Sequence, residues 1–198
     1  MKNRPLFLAL ALTFFGLQAT RATTVIPPTF DELVSKAEVI FQGTVTDVRS
    51  QWIGEGAQHR IVSYVTFNVE DAMKGTPGAT YTLRMLGGTV DGETMEVTDT
   101  PKFAVGDRDV LFVENNGSQF VPLVGIMHGR FHVETDPQTG REIVTTNERK
   151  PLVDLTRVGK EESAAPTNAG QGLTAIEFKT AIRKALQDQS ANQSGVQP

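Results

Sequence analysis

Between residues 61 and 70, Ile61, Ser63, Val65, Phe67 and Val69 alternate with Val62, Tyr64, Thr66, Asn68 and Glu70. This period-two pattern predicts a half-buried strand, expected to be the longest in the chain. Shorter apolar runs predict further strands at 39–48, interrupted at Gly43, and at 81–86, 110–113, 120–124, 130–134 and 142–145; residues 94–97 are expected to pair in the same sheet. Turn-forming clusters separate them: 54–59, 74–78, Gly87-Gly88, 105–107, Asn115-Asn116-Gly117-Ser118 as a hairpin signal, and 136–140. Two segments switch to helical spacing. Thr29 and Glu32 form a capping box ahead of Phe30, Leu33, Val34 and Ala37, a short helix placed to plug one end of a barrel. Thr174 and Glu177 form a second box, with Leu173 able to staple onto Phe178 and Ile176, Ala181, Ile182, Ala185 and Leu186 as the side that docks on the barrel. The pattern as a whole predicts a mainly β chain: a single β-barrel with a short N-terminal helix and a C-terminal helix.

The amino-terminal residues lie outside this pattern. Lys2 and Arg4 precede an apolar run over 6–15 and a small, polar stretch to Ala22, the three-part layout of a secretory signal, with cleavage after Ala22 or Ala19. The run falls short of the roughly 20 apolar residues that span a bilayer. The expected organisation is therefore a signal peptide at 1–22, a barrel domain at 23–158, a flexible linker at 159–172 rich in Ala, Ser, Pro, Asn and Gly, a helix at 173–188 and a disordered tail at 189–198. Localisation is exported, periplasmic or secreted. Removing 1–22 takes away Lys2, Arg4 and Arg21 and no acid, so the formal charge moves from −4 to −4 − 3 = −7. That sign argues against nucleic acid as a partner. The chain has no cysteine, which removes disulfide staples, thiolate metal sites, cysteine nucleophiles and a lipid-anchored amino terminus together.

Three phrases, Ala37-Glu38-Val39-Ile40-Phe41-Gln42-Gly43-Thr44-Val45, Lys74-Gly75 and the run from Phe103 through Gly106-Asp107 to Phe112, resemble those of netrin-like and tissue-inhibitor-of-metalloproteinase-like domains. The resemblance implies an OB-like barrel. The stretch 27–133 also resembles a group of uncharacterised exported bacterial proteins, some of which precede a matrixin-type protease, a segment this sequence does not contain. Inhibitors of that family chelate the target zinc through an amino-terminal cysteine. With no cysteine here, their mechanism does not carry over.

The segment His128-Gly129-Arg130-Phe131-His132 holds the candidate metal pair, His128 and His132. In a strand, positions four apart stand roughly 13 Å from each other, too far to share an ion. No glutamate follows His128 as in His-Glu-x-x-His zinc proteases. Ser35, Ser50, Ser63 and Ser118 lack a nucleophile elbow or a Ser-x-x-Lys spacing. Asp107, Asp109 and Glu114 read as acids that keep a strand end soluble. Asn116 and Asn192 match glycan-acceptor spelling, for which a turn and a polar tail are sufficient explanations. No cofactor is expected. The candidate binding residues are Trp52, the sole tryptophan, with His59, Arg60 and Tyr64 around the polar loop at 54–60. Trp52 either anchors a ligand there or caps the barrel core. Three readings follow: an exported non-enzymatic binding or accessory module whose partner is an exported protein, a protease-associated domain, and an exported hydrolase whose site is assembled from distant residues.

Overall fold

The computed structural model describes residues 27–159 and 172–194; the expected signal peptide, nearly all of the linker and residues 195–198 lie outside them. Helix α1 (Phe30–Lys36) begins at the Thr29 box, in which Thr29 accepts from the Glu32 backbone N–H and Glu32 reaches back to the Thr29 backbone. Its first and last turns carry Asp31, Glu32 and Lys36 in the order that suits the helix dipole. Its carbonyl end is closed from a distance. Lys74 Nζ donates to Val34 O at 2.8 Å and Ser35 O at 3.1 Å.

Strands β1 (Val39–Ile53) and β2 (Arg60–Lys74) form one long antiparallel ribbon, each 15 residues, so the strand expected to be longest has an equal. They are followed by β3 (Thr80–Leu86), β4 (Gly88–Val90), β5 (Glu93–Met95), β6 (Arg108–Val113), β7 (Arg130–Thr135) and β8 (Glu142–Thr145). Six of them make one sheet in the order β3-β2-β1-β6-β7-β8. The pairing is offset: β6 adds to β1 over Val39 to Thr44, while β3 adds to β2 over Val62 to Asn68. Three register shifts in the β1–β2 ladder, between Ile40 and Phe41, Gln42 and Gly43, and Val45 and Asp47, add local twist. At Gly43 a Cβ would sit 2.6 Å from Asn68 O, so no larger residue fits.

Alternation splits the apolar residues between the two faces. On one face Ile40, Val110, Phe112, Phe131, Val133 and Val144 pack under α1 and α2 (Ala175–Ser194), whose Phe178 and Ile182 are fully buried. On the other, Phe41, Val45, Val65, Phe67, Leu83, Leu111 and Val113 form a second core. Helix α2 keeps its box, with Glu177 N–H donating to Thr174 Oγ1 at 3.2 Å and Thr174 N–H to Glu177 Oε2 at 2.8 Å. It continues to Ser194, past the expected start of a disordered tail. Ile176, expected on its apolar side, is 74% exposed. Among the described residues no helix is long and apolar enough to cross a membrane.

Two expected strands differ. Residues 94–97 do not join the main sheet; β5 pairs only with β4, as a separate hairpin folded over the ribbon so that Gly88 rests on the Ser50 and Ser63 hydroxyls. Residues 120–124 form no strand, because Val121, Pro122, Leu123 and Val124 are buried consecutively, without alternation, and Pro122 has no N–H to offer a ladder. This stretch instead bridges the edge strand β3 to the interior strand β6. Leu86 N–H donates to Phe120 O at 2.7 Å, and Val113 pairs with Leu123. Asn116 substitutes its side-chain amide for a strand backbone, accepting from Arg84 N–H at 3.0 Å and donating to Thr82 O at 2.8 Å.

Candidate functional site

The four residues expected to form a binding surface divide in space. Trp52 pairs across the ribbon with Ile61, whereas Ile53 pairs with Arg60 and Arg49 with Tyr64, which puts Arg60 and Tyr64 on the opposite face from Trp52. His59 joins Trp52. Their rings stack with centroids 4.2 Å apart and planes 15° from parallel. A 3₁₀ turn over Gly56–Gln58, with Gln58 N–H donating to Glu55 O and His59 N–H to Gly56 O, brings the imidazole back over the indole. Trp52 is partly exposed and belongs to neither core.

On the Trp52 face, the next cross-strand pairs toward the middle of the ribbon are Ser50 with Ser63 and Val48 with Val65. These four residues floor a cleft of about 290 Å³. The β4–β5 hairpin contributes Thr89, Thr94 and Met95 as one wall, and Pro101, Lys102 and Phe103 form another. The two serines have a defined polarity. Ser63 Oγ donates to Gly87 O at 2.6 Å, which uses its only proton, so the 2.8 Å contact between the hydroxyls is a donation from Ser50 to Ser63. Ser50 Oγ is thereby left as an acceptor. Sequence reasoning considered both serines only as nucleophiles; their facing positions follow from ribbon register, which no local signal specifies.

The histidines of the candidate metal pair occupy separate surroundings. His132 is on β7 and is buried: its Nδ1 lies 2.7 Å from Asp109 Oδ1. His128 lies in a 3₁₀ turn (Ile126–Gly129), outside any strand, and lines a different cavity. Burial lowers the His128 pKa from its usual 6.5, against the opposing pull of the Glu148 carboxylate. Among the described residues, no three His, Asp or Glu side chains gather as a metal site.

Asp109 also departs from expectation, being fully buried and not a solubility device. Arg130 donates from Nη2 to Asp107 at 2.7 Å and Asp109 at 2.9 Å and from Nη1 to Lys102 O, with its guanidinium 3.9 Å above the Phe103 ring. Burial raises the Asp107 pKa, but the Ala104 N–H and Arg130 outweigh it and the net shift is downward. Arg149 reaches both Asp107 and Glu134. The signal was present in Arg130-x-His132, since residues two apart in a strand share a face, and in Asp107-x-Asp109 at the entry to β6. These groups pair with one another and hold the 101–107 loop against the sheet, forming one wall of the cleft. No protein-family model matches the chain, and no curated protein matches it.

Proposed function

We propose that this protein is an exported, non-enzymatic binding module on an open OB-type barrel, which takes an extended segment of a partner protein into the cleft beside Trp52. One observation carries the reading: the Trp52–His59 stack and the cleft floor of Val48, Ser50, Ser63 and Val65 occupy consecutive cross-strand positions on one face of one ribbon. An aromatic shelf that leads into a mainly apolar cleft suits a chain with alternate apolar side chains. At about 290 Å³ the cleft has room for one or two of them. Ser50 Oγ, left as an acceptor, favours a ligand that presents an N–H there, as a peptide backbone does. The netrin-like and inhibitor-like resemblance and the bridging of β3 to β6 through 114–123 support the barrel reading. The signal-like residues 1–22 support export.

Panning a random peptide display library on the purified protein, with a Trp52→Ala variant as counter-selection, tests the proposal. Enriched peptides should bind the parent and shift its fluorescence, which comes from one tryptophan. Peptides that bind both proteins equally, or no enrichment at all, would overturn it.

A further inference from the structure

Every strand at the margin of a sheet turns N–H and C=O groups outward that need partners. The sheet ends at β3 and β8, and the fold covers both. Along β3, Arg84 N–H donates to Asn116 Oδ1, Thr82 O accepts from Asn116 Nδ2, and Leu86 N–H donates to Phe120 O. Along β8, Val144 N–H donates to Leu173 O and Val144 O accepts from Leu152 N–H. The tip of β1 has no such cover. On its outer side β6 pairs over Val39 to Thr44, and the 105–107 turn adds one step more: Val45 N–H donates to Asp107 O at 2.8 Å, and Val45 O accepts from Gly106 N–H at 2.9 Å. Ahead of that turn the chain lies on the face of the ribbon instead, where Phe103 packs against Phe67. Past Val45, β1 pairs with β2 alone, and among the described residues no outward backbone group of residues 46–53 has a hydrogen-bond partner. Eight residues of strand extend roughly 26 Å. The same edge borders the cleft. Val48, Ser50 and Trp52 project on the cleft face, with Val48 lining the cleft at 37% exposure, while Asp47 and Arg49 form a 3.8 Å ion pair on the other face.

We propose that the outer edge of β1, residues 46–53, binds the partner's extended segment as an added β-strand that continues the row of β6. This rests on the peptide-binding reading above and assigns its mode. Main-chain hydrogen bonds to the β1 edge hold the segment, and alternate side chains turn over Val48 into the cleft. The side chains between them lie beside Asp47 and Arg49, so the segment alternates apolar residues with polar or charged ones and tolerates proline poorly. A second copy of the chain suits this edge less well. It carries the same negative net charge, and antiparallel self-pairing about the middle of 46–53 sets Arg49 directly or diagonally opposite its own mate.

The probe is the tightest-binding peptide from the display panning, synthesised with a single N-methyl group at each position in turn, and binding is read by tryptophan fluorescence. Methylation should weaken binding at least about tenfold at every second position and little at those between, because an added strand turns alternate N–H groups toward its neighbour. Amide hydrogen exchange is the second readout. With saturating peptide, alternate amides within 47–53 should exchange at least about tenfold more slowly, while those of Arg84 and Leu86, already hydrogen-bonded, do not change. Peptide binding that depends on Trp52 but shows no two-residue alternation, or brings no new protection within 47–53, would overturn the added strand and leave the cleft reading standing. Failure to enrich any peptide would overturn both. A dimer in sedimentation whose 47–53 amides are protected without peptide would assign the edge to a second copy and also overturn the proposal.

Discussion

The base and the tip of the β1–β2 ribbon are parts of one ladder, built from the same two 15-residue strands, yet they differ in almost every physical respect. At the base, residues 40–43 of β1 are buried, β6 pairs on the other side, and the Phe41 ring meets Phe67 edge-on at 5.5 Å and Tyr81 at 5.2 Å. At the tip, residues 49–53 are partly or fully exposed, β1 pairs with β2 alone, and the main side-chain contact is a two-ring stack. The difference is one of neighbours, not of strand propensity. The base is fixed by layers on both faces, whereas the tip extends beyond them and leaves its aromatic pair available.

The three phrases that carry the netrin-like resemblance all serve the base. Phe41 and Gln42 are buried there, with Gln42 Nε2 donating to Glu70 at 2.7 Å. Lys74 closes α1, and Gly75 has φ +72° where a Cβ would lie 2.8 Å from Glu38 O. Phe103 packs edge-on to Phe67 and beneath Arg130, while Asp107 Oδ2 accepts from Ala104 N–H at 2.9 Å to hold the loop. These phrases describe how a scaffold is assembled. The candidate cleft uses residues largely outside them.

Substitutions should separate the two regions, beginning with the base. Phe41→Ala is expected to cost about 3–5 kcal/mol, the usual range for emptying a buried aromatic site, measured by urea unfolding. Asp109→Ala should cost about 3 kcal/mol, because Arg130 and His132 would remain buried with an essential partner removed. Lys74→Met should cost about 0.5–1 kcal/mol by leaving the α1 carbonyls without their cation. Trp52→Ala at the tip should change stability by less than about 0.5 kcal/mol while abolishing peptide binding. A loss at Trp52 as large as that at Phe41 would erase the contrast between tip and base.

pH provides a smaller and independent test away from the tip. The folded-state pKa of His128 is lowered, so the unfolded chain binds its proton more readily. Its contribution is complete above the ordinary value of 6.5 and is lost as pH falls below that. His128→Gln should therefore flatten the stability profile just below 6.5, as read by melting temperature. The downward-shifted Asp107, Glu70 and Asp71 act at lower pH: their stabilisation is present above the ordinary carboxylate values of 3.8 and 4.5 and declines as pH falls through the folded values. If the His128→Gln profile matched that of the parent, the half-buried setting of this ring would be contradicted.

Both helix starts were readable because a capping box is complete within four residues, and β2 was readable because its alternation runs over ten. The position of Ile176 was also readable and was misassigned: at 3.6 residues per turn it lies roughly 200° around the helix from Phe178. Residues 120–124 were misassigned because an apolar run shows burial without showing whether a ladder partner exists. Trp52 and Tyr64 were grouped by proximity in sequence, but ribbon register sends them to opposite faces. Asp109 looked like a surface residue because charge in a sequence gives no sign of the partner that makes burial tolerable.

The sequence by itself determined what depends on short-range geometry: capped helices, alternating strands, turns, an absence of thiol chemistry and a signal-like amino terminus. Tertiary structure alone decided which strands pair and at what offset, that residues 114–123 link β3 to β6 without a strand, and that Arg130, Asp109 and His132 compensate one another inside the fold. The physical reason is that local hydrogen bonds and periodicity are encoded in neighbouring residues, whereas burial and register are free-energy differences settled between segments that lie far apart along the chain.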